Sequence, residues 1–155
     1  MPVTAEEEIV LLYALYKCGR KPSKARATQF ILTNHLLKER EGDYDTVSTD
    51  ESKIENRIAW TRLNLKKKGQ LSMPDHGTWA ITQNGVWRLE KVASKSLSWE
   101  QPDDELSRLL GTSWDRFSVE FLNHLKALGR ELKRRNEETG EQERPANGSQ
   151  PVREE

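Results

Sequence analysis

At 155 residues, with 34% hydrophobic and 32% charged residues, the chain can bury the core of one small domain but not all of its length. A single cysteine, Cys18, excludes an internal disulfide, and no apolar run approaches membrane-spanning length. The first residues, a proline followed by acids, do not read as a signal peptide, so a cytoplasmic protein without membrane contact is expected. The formal net charge is zero, but it is unevenly spread. Residues 136–155 hold six acids and two bases, which makes this tail −4 and leaves the rest of the chain +4. Between Glu51 and Lys68 there are six bases against two acids. A basic element joined to an acidic tail differs from a uniformly neutral protein.

Thr4 and Glu7 fit a capping box at the start of a first helix, and Glu6, Glu7 and Glu8 suit the positive end of its dipole. Ile9, Leu12, Tyr13 and Tyr16 keep helical spacing, with Val10, Leu11 and Leu15 widening the stripe. Gly19 should end this helix after Cys18. Ser23 is the expected N-cap of a second helix from about Lys24 to Lys38, with Ala27, Phe30, Ile31, Asn34 and Leu37 inward. Residues 39–49 read as a polar loop.

Ser48 and Glu51 offer a second capping box, so a third helix is predicted over about 49–68. Ile54, Ile58, Thr61 and Leu65 form its packing stripe, with steps of four, three and four. Two polar flanks compete for the outward face. One carries Arg62 and Lys66 with Glu55 nearby; the other carries Asn56, Arg57, Asn64 and Lys67 around Trp60. The pattern does not choose between them. After Gly69, short strands are expected at Leu71–Met73 and Thr78–Ile81 around the turn Pro74-Asp75-His76-Gly77. A second turn is expected at Asn84-Gly85, then a short helix through Val86, Leu89 and Val92. A helix followed by such a hairpin is the working end of a winged helix-turn-helix.

Residues 93–112 read as a connector, with a short helix at Asp103–Leu110. Ser113 is then the expected cap of an amphipathic helix over 113–135. Its stripe is Trp114, Phe117, Phe121, Leu125, Leu128 and Leu132. The stripe either folds back as core or pairs with a second copy; dimerisation is the expectation, since many such proteins need two half-sites. Residues 136–155 should be a disordered acidic tail. The fold expected is therefore mostly α with a small β-wing: a winged helix over 4–92 plus a C-terminal amphipathic helix.

Residues 56–85 resemble the N-terminal domain of the Mrr family of restriction proteins. The helix reads Asn56-Arg57-Ile58-Ala59-Trp60-Thr61-Arg62-Leu63-Asn64-Leu65-Lys66-Lys67-Lys68-Gly69, and the wing reads Gly77-Thr78-Trp79-Ala80-Ile81-Thr82-Gln83-Asn84-Gly85. The resemblance covers about residues 6–92 and implies a winged-helix fold and DNA binding. Thr61 and Gln70 depart from it, since the family often has Ala at the first position and an apolar residue at the second. Mrr proteins also carry a metal-dependent nuclease domain, and the stretch after residue 92 is too short for it.

No catalytic residue, metal ligand or cofactor is therefore expected. Glu51-Ser52-Lys53 and the pair Asp103 with Glu131-Leu132-Lys133 imitate a nuclease metal motif, but neither has the strands it needs. His35, His76 and His124 lie far apart. Asn and Arg can make paired contacts to adenine and guanine, so Asn56, Arg57, Arg62 and Asn64 are the candidates for base contact. Lys53, Lys66, Lys67 and Lys68 are candidates for backbone contact, and His76 can reach a phosphate from the wing. Trp60 and Trp79 are expected in the core and as wing anchor. The chain is thus expected to bind double-stranded DNA as a homodimer. It would act as a regulator, or as the recognition component of a restriction or defence system with a separate nuclease or effector subunit. The alternative is a protein-interaction module acting through the C-terminal amphipathic helix.

Overall fold

A computed structural model describes residues 5–38, 52–98 and 117–143. Five α-helices and one two-stranded antiparallel sheet lie among the described residues. The first helix, α1 (Ala5–Lys17), is the centre. From Ile9 to Leu15 it has no polar residue other than the Tyr13 hydroxyl, and a helix apolar all round must be enclosed. Every residue from Glu6 to Leu15 is indeed buried. Helix α2 (Lys24–Thr33), helix α3 (Lys53–Lys67), helix α4 (Gln83–Lys95) and the wing all pack on it.

The helix ends follow local chemistry. Helix α1 stops at the predicted place: Arg20 N–H bonds to Leu15 O, with Gly19 at φ +88°. Ser23 caps α2 as expected, its hydroxyl accepting from Arg26 N–H. Helix α2 ends at Thr33, however, short of the expected Lys38. His35 takes φ +54°, and Leu36 N–H and His35 N–H close back on Ile31 O and Leu32 O. This reversal turns Leu36 and Leu37 into the core, which continued helix would not do.

The start of α3 is also corrected. Its capping box is Ser52 with Glu55, one turn later than the Ser48–Glu51 pair, which lies outside the described residues. Ser52 Oγ accepts from Glu55 N–H at 3.3 Å, and Glu55 Oε1 accepts from Ser52 N–H at 3.0 Å. The recognition-type helix therefore begins at Lys53, not near residue 49. The predicted packing stripe holds: Ile54, Ile58, Thr61 and Leu65 are all buried.

The wing pairs β1 (Leu71–Ser72) with β2 (Ala80–Ile81), in the register Leu71 opposite Ile81 and Ser72 opposite Ala80. A third segment joins it. Trp79 N–H donates to Pro22 O at 2.8 Å, Ile81 N–H to Arg20 O at 2.9 Å, and Lys24 N–H to Gly77 O at 3.3 Å. The α1–α2 connection thus runs along the outer edge of the wing strand, with an isolated bridge between Ser23 and Thr78. Trp79 is the expected wing anchor, buried beneath this junction.

Asn84-Gly85 is not a turn. It lies in the first turn of α4, capped by the Thr82 hydroxyl, which accepts from Gly85 N–H. Gly85 is required by space: a Cβ there would stand 2.5 Å from Gln70 O and 2.8 Å from Ile81 Cγ1. The chain continues through a 3-10 turn at Ser96–Ser98.

The last helix, α5 (Val119–Glu143), packs on α4. Ser118, not Ser113, caps it: its Oγ accepts from Phe121 N–H and donates to His35 O. Gly129 permits the close approach to α4, since a Cβ there would run into the Ala93 carbonyl. The helix continues past Asn136, where a disordered tail was expected. Arg134 pairs with Glu131 and Glu138 one turn to either side, which favours helix over coil. Residues 144–155 and the Asp103–Leu110 helix lie outside the described residues.

The stripe of α5 is spent inside the chain. Phe117, Phe121, Leu125 and Leu128 are buried against the core, and Leu132 packs on its edge. Phe121 meets Tyr13 edge-on at 5.6 Å, and Tyr13 Oη is 3.0 Å from His124 Nδ1. Burial pushes the Tyr13 phenol up to about 12, so it stays neutral. The expected dimer seam is therefore replaced by intramolecular packing, because side chains buried in one copy cannot line the surface of a second. Trp114 lies outside the described residues.

Two substitutions test this packing by denaturant titration. Gly85→Ala is expected to destabilise the fold by about 1–3 kcal/mol through overpacking. Phe121→Ala should cost about 3–5 kcal/mol; a surface-like cost below about 0.5 kcal/mol would show that α5 does not cover α1.

Candidate nucleic-acid interface

Helix α3 has three sides with different fates. The first is the packing stripe. The second faces the start of α1 and is held by its acids. Arg57, 4% exposed, donates from Nε to Glu7 Oε2 at 2.6 Å. Asn64 Nδ2 donates to Glu8 Oε2, and Lys68 Nζ lies 2.9 Å from both Glu8 oxygens. From α4, Arg88 Nη1 adds contacts of 2.7 Å to Glu8 Oε1 and 2.8 Å to Gln70 Oε1. One carboxylate thus ties together α1, α3 and α4.

Burial by itself raises the Glu8 carboxyl. The hydrogen bonds and charges of Lys68 and Arg88 outweigh this and hold it below its ordinary range. Both family departures belong to the same region. Gln70 accepts from Arg88, and Thr61 Oγ1 caps the Arg57 carbonyl at 2.7 Å.

Arg62 is held on the wing side. Its Nη1 is 3.3 Å from Met73 Sδ, and its guanidinium carbon lies 5.9 Å from the Trp79 ring centre. This contact joins α3 to the wing.

The third side faces solvent. Asn56, Trp60, Leu63 and Lys67 follow steps of four, three and four, opposite the packing stripe. Lys53 stands at the first residue and Lys66 beside the strip; both are exposed, as are Lys67 and the wing-tip His76. Trp60, expected in the core, is 47% exposed because it lies on this strip.

Of the residues singled out from the sequence, Lys53, Lys66, Lys67 and His76 thus lie exposed, and Asn56 is half-buried on the same side of α3. Arg57, Arg62, Asn64 and Lys68 are engaged in contacts within the fold. Neither predicted flank is the outward face as grouped. Sequence reasoning missed Glu7, Glu8, Gln70 and Arg88 as the partners that sort α3. The one signal was in α1: three consecutive acids directly precede a run that is apolar all round and must be enclosed. A second omission is the basic group Arg20, Lys21, Lys24 and Arg26, all exposed. The bond from Lys24 N–H to Gly77 O sets the start of α2 against the wing tip.

A helix-turn-helix core with a two-stranded wing behind its third helix, and a third segment along that wing, defines a winged-helix protein. The Mrr N-terminal domain model matches residues 9–91, more than half of the chain, and the chain belongs to that family. Comparison with curated proteins and with solved structures gave no match. No described helix is long and apolar enough to cross a membrane.

The Glu8 network makes a pH prediction. The fold keeps Glu8 ionised to lower pH than the unfolded chain does. Its contribution is therefore present above the unfolded-state value and lost as pH falls through the folded-state value. Glu8→Ala should cost about 2–3 kcal/mol near neutral pH, mainly through Arg88 and Asn64, because Lys68 is half exposed. The difference from wild type should shrink at about pH 3. Denaturant midpoints at the two pH values check this; a difference independent of pH would contradict it.

Proposed function

We propose that the chain binds double-stranded DNA without catalysing a reaction on it, with α3 in the major groove and the wing against the backbone. The observation that carries this reading is the sorting of α3. Its acid-facing side is neutralised internally, while Lys53, Lys66 and Lys67 are exposed, with Asn56 half-buried on the same side, beside an exposed wing tip. Lys24 and Arg26 at the start of α2 extend the positive rim toward the wing. Lysines of this kind meet phosphates and set the register, and side chains at the centre of the strip reach base edges.

Membership of the Mrr N-terminal domain family supports a role in a restriction or defence system, as its recognition component or as a regulator. A homodimer on two half-sites would pair through a surface other than the α5 stripe. The same burial argues against a protein-docking module built on the apolar stripe of that helix.

Gel shift across a salt series tests the reading. Affinity should fall linearly on a log–log plot, with a slope of about −0.9 for each phosphate neutralised. Lys66→Glu with Lys67→Glu should weaken binding to all duplexes alike and reduce the slope by about two, with only a small loss of stability, about 0.3–1 kcal/mol per reversed charge, at the C-terminal end of the helix dipole. Arg57→Ala should do the opposite and lower stability first, by about 3–5 kcal/mol, because it removes one partner of a buried ion pair. Failure to bind any duplex at low salt would refute the proposal.

A further inference from the structure

The outward strip of α3 differs in chemistry from the helix as a whole. Its two guanidinium groups both point away from the strip. Arg57 is buried against Glu7, and Arg62 lies between Met73 and Trp79. Arginine is the side chain that most often reads guanine, by paired bonds to O6 and N7. The middle of the strip carries the exposed Trp60 flanked by the half-buried Asn56 and Leu63 instead, and Lys53 and Lys67 occupy the first and last residues of the helix. An asparagine can accept from adenine N6 and donate to N7. Apolar side chains contact the C5 methyl of thymine. Cations at the two ends of a helix in the groove suit the phosphates on either side.

Resting on the DNA-binding reading above, we propose that α3 reads A·T base pairs in the major groove, with Asn56 on adenine and Trp60 and Leu63 against the thymine methyl. The exposure of Trp60 is then part of the reading surface. A half-exposed indole costs solvation in the unbound protein and regains it when a methyl group covers it. Removing the arginines from this surface also removes the strongest attraction to guanine, so preference for A·T comes both from contacts made and from contacts withheld.

The full chain is tested by selection from a pool of randomised duplexes, followed by affinity measurements on the enriched site. The selected sites should carry A·T pairs at the contacted positions. Replacing thymidine by deoxyuridine, which removes only the major-groove methyl, should weaken binding about tenfold. Trp60→Ala should abolish the difference between thymine and uracil duplexes while keeping the fold, as checked by thermal melting, and keeping the salt slope. Asn56→Ala should lose the adenine preference. Enrichment of G·C pairs, or equal affinity for the thymine and uracil duplexes with salt-dependent binding retained, would overturn this proposal and leave the DNA-binding reading standing. Absence of binding to the whole pool at low salt would overturn both.

Discussion

The interaction on which the structure depends is the burial of the acidic start of α1. Glu7 and Glu8 stand directly before the apolar run that must be enclosed, and they are buried together with it. A buried carboxylate without partners is costly, so the surrounding elements must supply cations and donors. Glu7 takes Arg57. Glu8 takes Asn64, Lys68 and Arg88, from two different helices. These contacts fix the rotation of α3 about its own axis, something apolar packing alone does loosely.

That rotation decides what the protein presents. Once Arg57, Asn64 and Lys68 are directed at α1, and Arg62 at Trp79, the opposite strip is left facing outward. The basic character of α3 is therefore divided between a structural side and a surface side. A count of lysines and arginines along the helix overstates the charge offered to a partner. The wing is placed by the same set of contacts: Arg88 bonds Gln70 just before β1, and Arg62 touches Met73 just after it. The recognition-type helix, the wing and α4 form one linked unit.

The C-terminal helix completes the enclosure of α1 from the other side. Tyr13 is the point of contact, packed by Phe121 and bonded to His124. The absence of side chains at Gly85 and Gly129 lets α4 approach the wing on one side and α5 on the other. A core this small needs both approaches. With about a third of the chain hydrophobic, the long stripe of α5 is too large a share of the apolar surface to leave for a second copy.

Local features were legible from the sequence alone. Periodicity located α1, the packing stripe of α3 and the apolar face of α5. The Ser23 cap, Gly19 and Gly69 marked the right helix boundaries, the Pro74–Gly77 turn lay where expected between strands shorter than expected, and the order of helix and hairpin in residues 56–85 identified the winged helix. These depend on neighbours in the chain, whose geometry is set within one or two turns. The competing capping serines near residue 50, the early end of α2 at His35 and the helical Asn84-Gly85 were misread, because each was chosen by contacts from elsewhere in the fold. So was the division of α3. On a helical wheel Lys67 stands opposite the packing stripe and Arg57 beside it, but only the tertiary structure sets Glu7 and Glu8 against the Arg57 flank and solvent against the other. The chain alone determined which residues could form a recognition surface. The enclosure of α1 decided which of them are left facing outward, because buried charge is neutralised by whichever cations stand within reach.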